Sequence, residues 1–401
     1  MMLAGPLADS HGRVLRDLRV SLTDRCNFRC MYCLPETEAA QNFYRGHWAH
    51  IPDPAPIVQQ WVPKSQILAF EEIERIVRIA VSLGIQKIRL TGGEPLLRHD
   101  VESLVAKVAA IAGVHDLAMT TNGSRFPQKA RALREAGLHR ISFSLDSLDR
   151  NNFRKITGRD GLGEVLEGIR LARELGFHPV KVNAVIIRDI NDHEIGALAT
   201  FAREHDLSLR FIEFMPLDSA RAWQKEMVIT GREILKRIEA HFALTSGFKA
   251  EKSQLAVKSA GAGALHSSQI VKTAASPTPA ALADMKPDDG PTLIPVQSDN
   301  PSSTSQRWQF SDGRGEIGII APVSEPFCGH CNRIRLTADG KIRTCLFSVT
   351  EHDLRPLLRN GATDNQIAEW LRGIVWQKEA RHHIGEPEFV PPPRSMSCIG
   401  G

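Results

Sequence analysis

Between residue 17 and about residue 243, a short run of β-branched and apolar residues gives way six times to a stretch of helical period, and no other feature restricts the fold as tightly. The strand-like runs are 18–22, 85–90, 115–120, 139–145, 180–186 and 207–214. Among the helical stretches, FEEIERIVRIAVSLG sets Phe70, Ile73, Ile76, Val77, Ala80 and Leu83 on one face and stops at Gly84. Parallel strands need long crossovers, and helices of this length supply them. The alternation predicts an α/β fold with a parallel sheet, either open and doubly wound or curled into most of a (β/α) barrel. In both, ligands gather at the C-terminal ends of the strands. The chain has 401 residues, 42% of them apolar, enough for a large core and for two or three domains.

Two segments break the alternation. Residues 36–63 are rich in Pro, His and Trp and have no clear period. Residues 251–306 are rich in Ala, Ser, Pro and Thr and poor in aromatics, so they bury too little surface to offset chain entropy and read as disordered. The expected division is a partial barrel over 1–250 with an insertion at 36–63, a low-complexity insert over 251–306, and a C-terminal domain over 307–401.

The seven cysteines are grouped. Cys26, Cys30 and Cys33 are spaced C-x3-C-x2-C, directly after the first strand-like run. Cys328, Cys331 and Cys345 are spaced C-x2-C-x13-C, and Cys398 stands alone near the end. No secretory pattern opens the chain and no apolar stretch is long enough to span a bilayer, so the expected setting is cytoplasmic, where clustered cysteines point to metal or redox chemistry. The net charge of +4 is too weak to imply nucleic acid.

Three thiolates in eight positions can wrap a cubane iron–sulfur cluster and leave one of its irons open to a ligand, whereas structural zinc wants four closed ligands. The second group leaves zinc and iron–sulfur both open, since C-x2-C is also half of a zinc knuckle. Arg333 and Arg335, between its cysteines, tilt it toward an anion, because guanidinium pairs bidentately with phosphate or a base edge. TGGEP (91–95) follows the second strand-like run, and its glycines let the backbone come close to a ligand. TTNG and FSLDS put small polar side chains at the ends of the next two runs. Lys181 is a cation within an apolar run, costly unless it is paired or faces a cavity, and Asn183 shares its face. The tip IGG is slim enough to thread into a cavity, although composition alone reads it as a frayed end.

CNFRCMYC with TGGEP resembles the radical S-adenosylmethionine superfamily. SEPFCGHCNRIRLTADGKIRTCLF and the terminal Gly-Gly resemble one family within it, the GTP 3′,8-cyclases, lyases that open molybdenum cofactor biosynthesis. The resemblance covers 13–35, about 63–250 and 307–401. It implies an incomplete (β/α)6 TIM-like barrel closed by a smaller C-terminal α+β domain. It implies a [4Fe–4S] cluster on Cys26, Cys30 and Cys33 whose open iron chelates S-adenosylmethionine, with Tyr32, Gly93, Ser144 and Met215 at cofactor-contacting positions. A second [4Fe–4S] cluster would sit on Cys328, Cys331 and Cys345, its open iron facing the guanine of GTP. Arg19, Arg89, Thr120, Lys181, Arg333, Ile334 and Arg335 match GTP-contacting positions. Arg333, Arg335, Gly400 and Gly401 would support catalysis, the two glycines by reaching the active site. The implied reaction cleaves S-adenosylmethionine, removes the ribose 3′ hydrogen of GTP and joins C3′ to guanine C8. Implied partners are an electron donor such as a flavodoxin or ferredoxin and the downstream cyclic pyranopterin monophosphate synthase, with no nucleic acid and no membrane; a homodimer is compatible.

Two other classes compete. A different radical S-adenosylmethionine enzyme with an auxiliary cluster, such as a peptide modifier, is opposed by the terminal Gly-Gly and CNRIRLTADGKIRTC. A zinc-ribbon protein reading nucleic acid would hold zinc and carry a stronger basic patch.

Overall fold

A computed structural model describes residues 5–40, 42, 61–217, 223–243, 291–297 and 300–400. Most of the 36–63 insertion, residues 251–290 of the low-complexity segment, and Gly401 lie outside the described residues.

The order along the chain is β1 (Asp17–Ser21), α1 (Phe70–Ser82), β2 (Lys87–Thr91), α2 (Val101–Ala109), β3 (Asp116–Thr121), α3 (Phe126–Glu135) and β4 (Arg140–Ser144). Two helices follow β4, α4 (Arg150–Thr157) and α5 (Leu162–Glu174), then β5 (Lys181–Ile186), α6 (Ile195–Glu204), β6 (Ser208–Glu213) and α7 (231–243). The C-terminal part supplies β7 (Leu293–Val296), β8 (Gln306–Phe310), β9 (Glu316–Ile320), β10 (Arg333–Leu336), β11 (Lys341–Arg343), β12 (His352–Asp353), α8 (Asp364–Trp376) and α9 (Met396–Ile399). All six expected strands are present to within two residues at each end. The short helix α4 was not expected; Asp149 caps it by accepting from the Asn152 N–H.

Strand order separates the two architectures that periodicity left open. The sheet runs β12-β11-β10-β1-β2-β3-β4-β5-β6-β9-β8-β7. A doubly wound sheet reverses its strand order in the middle. Here β1 to β6 advance without reversal, each paired parallel with the next. Right-handed crossovers running one way put every helix on one face, and the sheet curls into a partial barrel. Beyond it, β10 pairs parallel with β1 and β9 parallel with β6, so the C-terminal part flanks both open edges of the six-stranded unit. The last strands on each side are antiparallel. The low-complexity reading of 251–306 ends too late: β7 lies within that range and pairs with β8, which offsets its ordering cost with ladder hydrogen bonds.

Alternation then sorts the side chains. Leu18, Val20, Ile88, Leu90, Leu117, Met119, Ile141, Phe143, Val182, Ala184, Leu209 and Phe211 are buried in one core with Ile73, Ile76 and Val77 of α1 and the other helices. Their neighbours on the opposite face, including Arg19, Arg89, Ser142, Lys181, Asn183 and Arg210, turn into the barrel. Registers align them in rows: Arg335, Arg19, Arg89 and Ala118 on β10, β1, β2 and β3, and Ser142, Lys181 and Ser208 on β4, β5 and β6.

Candidate functional site

The loop after β1 is braced by the loop after β2. The Gly93 N–H donates to the Thr23 carbonyl at 2.7 Å, and the Glu94 N–H to the Arg25 carbonyl at 2.8 Å. A Cβ on Gly93 would fall 2.2 Å from the Arg25 carbonyl oxygen, so no larger residue allows this approach. Glu94 is a buried hub. Its carboxylate accepts from the N–H groups of Leu96 and Asn122 and from the Thr121 hydroxyl. Burial nonetheless pushes its pKa up to about 7. Asn122 in turn donates to Cys26 Sγ at 3.6 Å and to Asn27 Oδ1 at 2.9 Å.

The three loop thiols line one cavity of about 140 Å³ with Tyr32, Gly92, Gly93, Thr120, Ser144 and Asp146. Burial raises Cys26 to about 11, Cys33 to about 12 and Cys30 well above its ordinary value; Glu94 pushes Cys26 further up, and neighbouring thiols do the same to Cys30 and Cys33. Three thiolates that repel one another in a dry pocket call for a cationic body among them. This donor set fits an iron–sulfur cluster. Asp146 is an acidic wall of the same cavity; it accepts from the Tyr32 hydroxyl at 2.6 Å and from the Val185 N–H at 2.8 Å, and burial raises it to about 6. Tyr32, Gly93 and Ser144 are gathered in the cavity of the three thiols. Met215 is not: it packs with Leu217, Phe347, Ile384, Cys398 and Ile399, outside the cavity lining.

The second group has a different electrostatic setting. Burial raises Cys328 and Cys345. At Cys331 burial is outweighed by Arg333, Lys378 and two hydrogen bonds, and the thiol falls to about 6. Arg333 donates to Cys331 Sγ at 3.3 Å and lies over the Phe327 ring. Lys378 is buried and donates to the carbonyls of Arg333 and Thr344. Arg13, paired with Asp9 at 2.6 Å, donates to the Cys328 carbonyl at 2.9 Å and so ties the N-terminal segment to this turn. The thiols influence one another here too, and this set also fits a cluster. Among the described residues no group of three His, Cys, Asp or Glu side chains could hold a single metal ion. That does not bear on a cube, whose thiolates bind separate irons.

A second, polar cavity at the other end of the barrel is lined by Arg19, Lys87, Arg89, Arg140, Lys181, Arg210 and Arg333, with Asp17 and Asp116 as acids. Arg140 pairs with Asp116. Arg89 is held by contacts to Thr120 Oγ1 at 3.2 Å and Ser142 Oγ at 3.3 Å. Burial and then the neighbouring cations press Lys181 down to about 6. Burial dominates at Arg19 and Arg210, each lowered to about 10. Cations held together at such cost mark an anion site. Ile334 differs from its neighbours: its side chain is buried in the barrel–helix core, which leaves its backbone as the part that can meet a ligand.

Between the two cysteine groups lies the tail. The Gly400 carbonyl accepts from the Arg335 guanidinium, and Gly400 takes φ +75°, where a Cβ would lie 3.1 Å from Thr91 and 3.3 Å from Ser21. Met396 and Ser397 line the thiol cavity. The structure thus brings together Cys26, Cys30, Cys33, Tyr32, Gly93, Ser144 and Thr120 around the barrel's upper mouth, sets Cys328 and Cys331 beside Arg333 at the opposite end, and places Arg335 with Gly400 between them. Sequence reading missed Asp146, Lys378, Lys87, Arg140 and Arg210. Arg210 in LSLRFIEF is a cation in an apolar strand, the same signal that singled out Lys181.

The radical SAM superfamily model matches residues 20–202, and the Molybdenum Cofactor Synthesis C model matches residues 288–384. A GTP 3′,8-cyclase of Mycobacterium sp. (strain KMS) is 39% identical over 402 residues, covering 100% of this chain and 95% of that one. One of Streptomyces coelicolor is 39% identical over 396 residues, covering 98% and 96%. One of Rhodopirellula baltica is 38% identical over 398 residues, covering 98% and 92%. The solved structure of Streptococcus suis SuiB bound to S-adenosylmethionine is 14% identical with a TM-score of 0.49, over 99% of this chain and 78% of that one, and carries no argument here. The chain belongs to the GTP 3′,8-cyclase family of the radical SAM superfamily.

Proposed function

We propose that this chain is a lyase that converts GTP to (8S)-3′,8-cyclo-7,8-dihydroguanosine 5′-triphosphate, the first step of molybdenum cofactor biosynthesis. The observation that carries this reading is a barrel with three thiols at its upper mouth, three more beside its opposite, basic end, and a cluster of buried cations that outnumber the acids among them. Full-length similarity to relatives named for that reaction supports it.

Cys26, Cys30 and Cys33 would hold one [4Fe–4S] cluster, and Cys328, Cys331 and Cys345 the other. With S-adenosylmethionine bound, the first supplies a hydrogen-abstracting radical. Tyr32, Gly93 and Ser144 shape the cofactor's cavity, and Asp146 faces it with a carboxylate suited to an amino or hydroxyl group. Arg19, Arg89, Lys181 and Arg210 neutralise the triphosphate. Thr120 fixes Arg89. Arg333, the Ile334 backbone and Arg335 meet the nucleoside next to the second group. Gly400 closes the mouth and excludes water from the reacting carbon, and Gly401 would support catalysis with it. An external one-electron donor is required; an acidic carrier such as a flavodoxin or ferredoxin suits that task, and the unstable product suits direct transfer to the next synthase. Among the described residues no helix is long and apolar enough to cross a membrane.

The deciding assay is anaerobic incubation of reconstituted protein with S-adenosylmethionine, dithionite and GTP. Cyclised GTP should form, with 5′-deoxyadenosine produced in proportion to GTP consumed. Formation of 5′-deoxyadenosine that never depends on GTP would point to another substrate.

A further inference from the structure

The two cysteine groups meet the surface differently. Outside the first, cations ring the cysteine loop. The Arg29 guanidinium donates to the carbonyls of Cys26 at 2.7 Å and Phe28 at 2.9 Å, and the Arg159 guanidinium donates to the Asn27 carbonyl at 2.7 Å. The loop is zipped onto the end of α4, where the Ile156 and Thr157 carbonyls accept from the Met31 and Arg29 N–H groups. This brings the exposed Arg154, Lys155 and Arg159 alongside it. On the other flank Asn27 donates to the Ser124 hydroxyl at 2.8 Å, and the next residue is exposed Arg125. Exposed Arg25 completes the arc. Of the acids on this rim, Glu36 is taken by Arg29 and Asp160 by Arg150. That leaves Glu38 and Glu164 against Arg25, Arg125, Arg154, Lys155 and Arg159, none of which forms an ion pair among the described residues. Trp61 lies half-buried in this arc, its ring 5.9 Å from the Arg25 guanidinium and 5.8 Å from that of Arg29, and the Val62 N–H pins it by donating to Asp24 at 2.6 Å. Outside the second group no such excess exists. The cavity of about 400 Å³ beside Cys345 is lined by Glu379, Glu386 and Glu388 together with Arg381, His382 and His383.

Tryptophan flanked by arginine is the composition of protein-docking hot spots, and opposite charge across a contact speeds encounter. We propose that this face is the docking surface of the electron donor. An acidic one-electron carrier seats on Arg25, Arg125, Arg154, Lys155 and Arg159 around Trp61, and reduces the cluster held by Cys26, Cys30 and Cys33 rather than the second one. One electron leaves the carrier's reduced flavin, which becomes a semiquinone, and enters the cluster, which gains one negative charge; no bond in the protein forms or breaks. The surface and the cluster share one loop, since Arg29 is bonded to the carbonyl of Cys26 itself. The inference rests on the reading of that loop as a cluster site.

The test mixes chemically reduced flavodoxin with the full-length, reconstituted enzyme in a stopped-flow instrument, with dithionite as the small donor for comparison. Arg125→Glu, Arg154→Glu and Lys155→Glu are combined, because these side chains line neither cavity of the barrel. At about 0.01 M ionic strength the combined variant should be reduced by flavodoxin at least about 10-fold more slowly than wild type, and at about 1 M the gap should close. Its iron content and its reduction by dithionite should match wild type. Trp61→Ala should raise the flavodoxin concentration needed for half-maximal rate at both ionic strengths. If charge reversal costs iron, the same three positions changed to Gln decide, with a smaller effect of the same sign. Equal flavodoxin rates in wild type and variant at low ionic strength would overturn the inference. So would a wild type that dithionite reduces but neither flavodoxin nor ferredoxin does, or a first EPR signal on freeze-quenching that S-adenosylmethionine does not perturb. Absence of any dithionite-reducible signal in the wild type would instead overturn the cluster reading beneath it.

Discussion

The two cysteine groups use the same number of thiols in opposite surroundings. Around Cys26, Cys30 and Cys33 the ionisable neighbours are mainly acids, Glu94 and Asp146, with Arg29 acting on Cys26, and every thiol is pushed up by burial. Around Cys328, Cys331 and Cys345 they are mainly cations, Arg333 and Lys378, with Glu379 acting on Cys345, and Cys331 is brought down to about 6. An acidic wall suits a ligand with an ammonium and a sulfonium centre. A basic one suits a nucleotide. The spacing of the cysteines suits clusters at both, and the charges around them suit different ligands.

The comparison breaks most completely at the first group. Cys30→Ser should lower the iron content by about half, from about eight per chain, as iron and sulfide assays measure, and should abolish S-adenosylmethionine cleavage. Gly93→Ala comes next. Its Cβ meets the Arg25 carbonyl oxygen at 2.2 Å, so the cysteine loop must shift. A cost of about 1–3 kcal/mol in thermal or denaturant unfolding is expected, together with loss of cluster occupancy at this group only.

The basic cavity sharpens the contrast. Lys181 has a folded pKa of about 6 against an ordinary 10.5, so between those values the unfolded chain holds the extra proton. The ligand-free fold therefore gains stability as pH rises through that window and loses it as pH falls toward 6. A bound triphosphate restores the charge, so GTP binding at pH 8 should take up a proton, visible as a buffer-dependent calorimetric enthalpy. Lys181→Met should remove that uptake and weaken GTP binding about 10- to 100-fold, the worth of one hydrogen bond to a charged group. It should also raise the melting temperature of the ligand-free protein, because a repelled cation is gone. The smallest expected effect is at the tail root. Arg394→Gln keeps the length but loses the charge between Asp339 and Glu351, and should lower turnover several-fold without changing the iron content, provided GTP is saturating.

The barrel was legible because six strand–helix alternations leave few topologies. Whether it was wound in one direction or two was not, since periodicity carries no strand order. The cysteine spacing and TGGEP pointed, from local sequence alone, to residues that the fold gathers in one cavity. The basic cavity was half-visible: Lys181 stood out, whereas Arg140 and Arg210 become partners only when the register of neighbouring strands sets them beside it. Asp146 was hidden in FSLDS, where a strand-end aspartate reads equally well as a turn residue. The tail was least legible, because its position depends on the Arg394 network and the Arg335 bond, both formed with residues about forty or more positions away.

The central claim is a division of labour between the two groups, and Cys328→Ser tests it most directly. Under anaerobic conditions this variant should retain the first cluster and bind and cleave S-adenosylmethionine in the presence of dithionite. It should form no cyclised GTP. Cyclisation at the wild-type rate in that variant would contradict the assignment of the nucleotide to the second group.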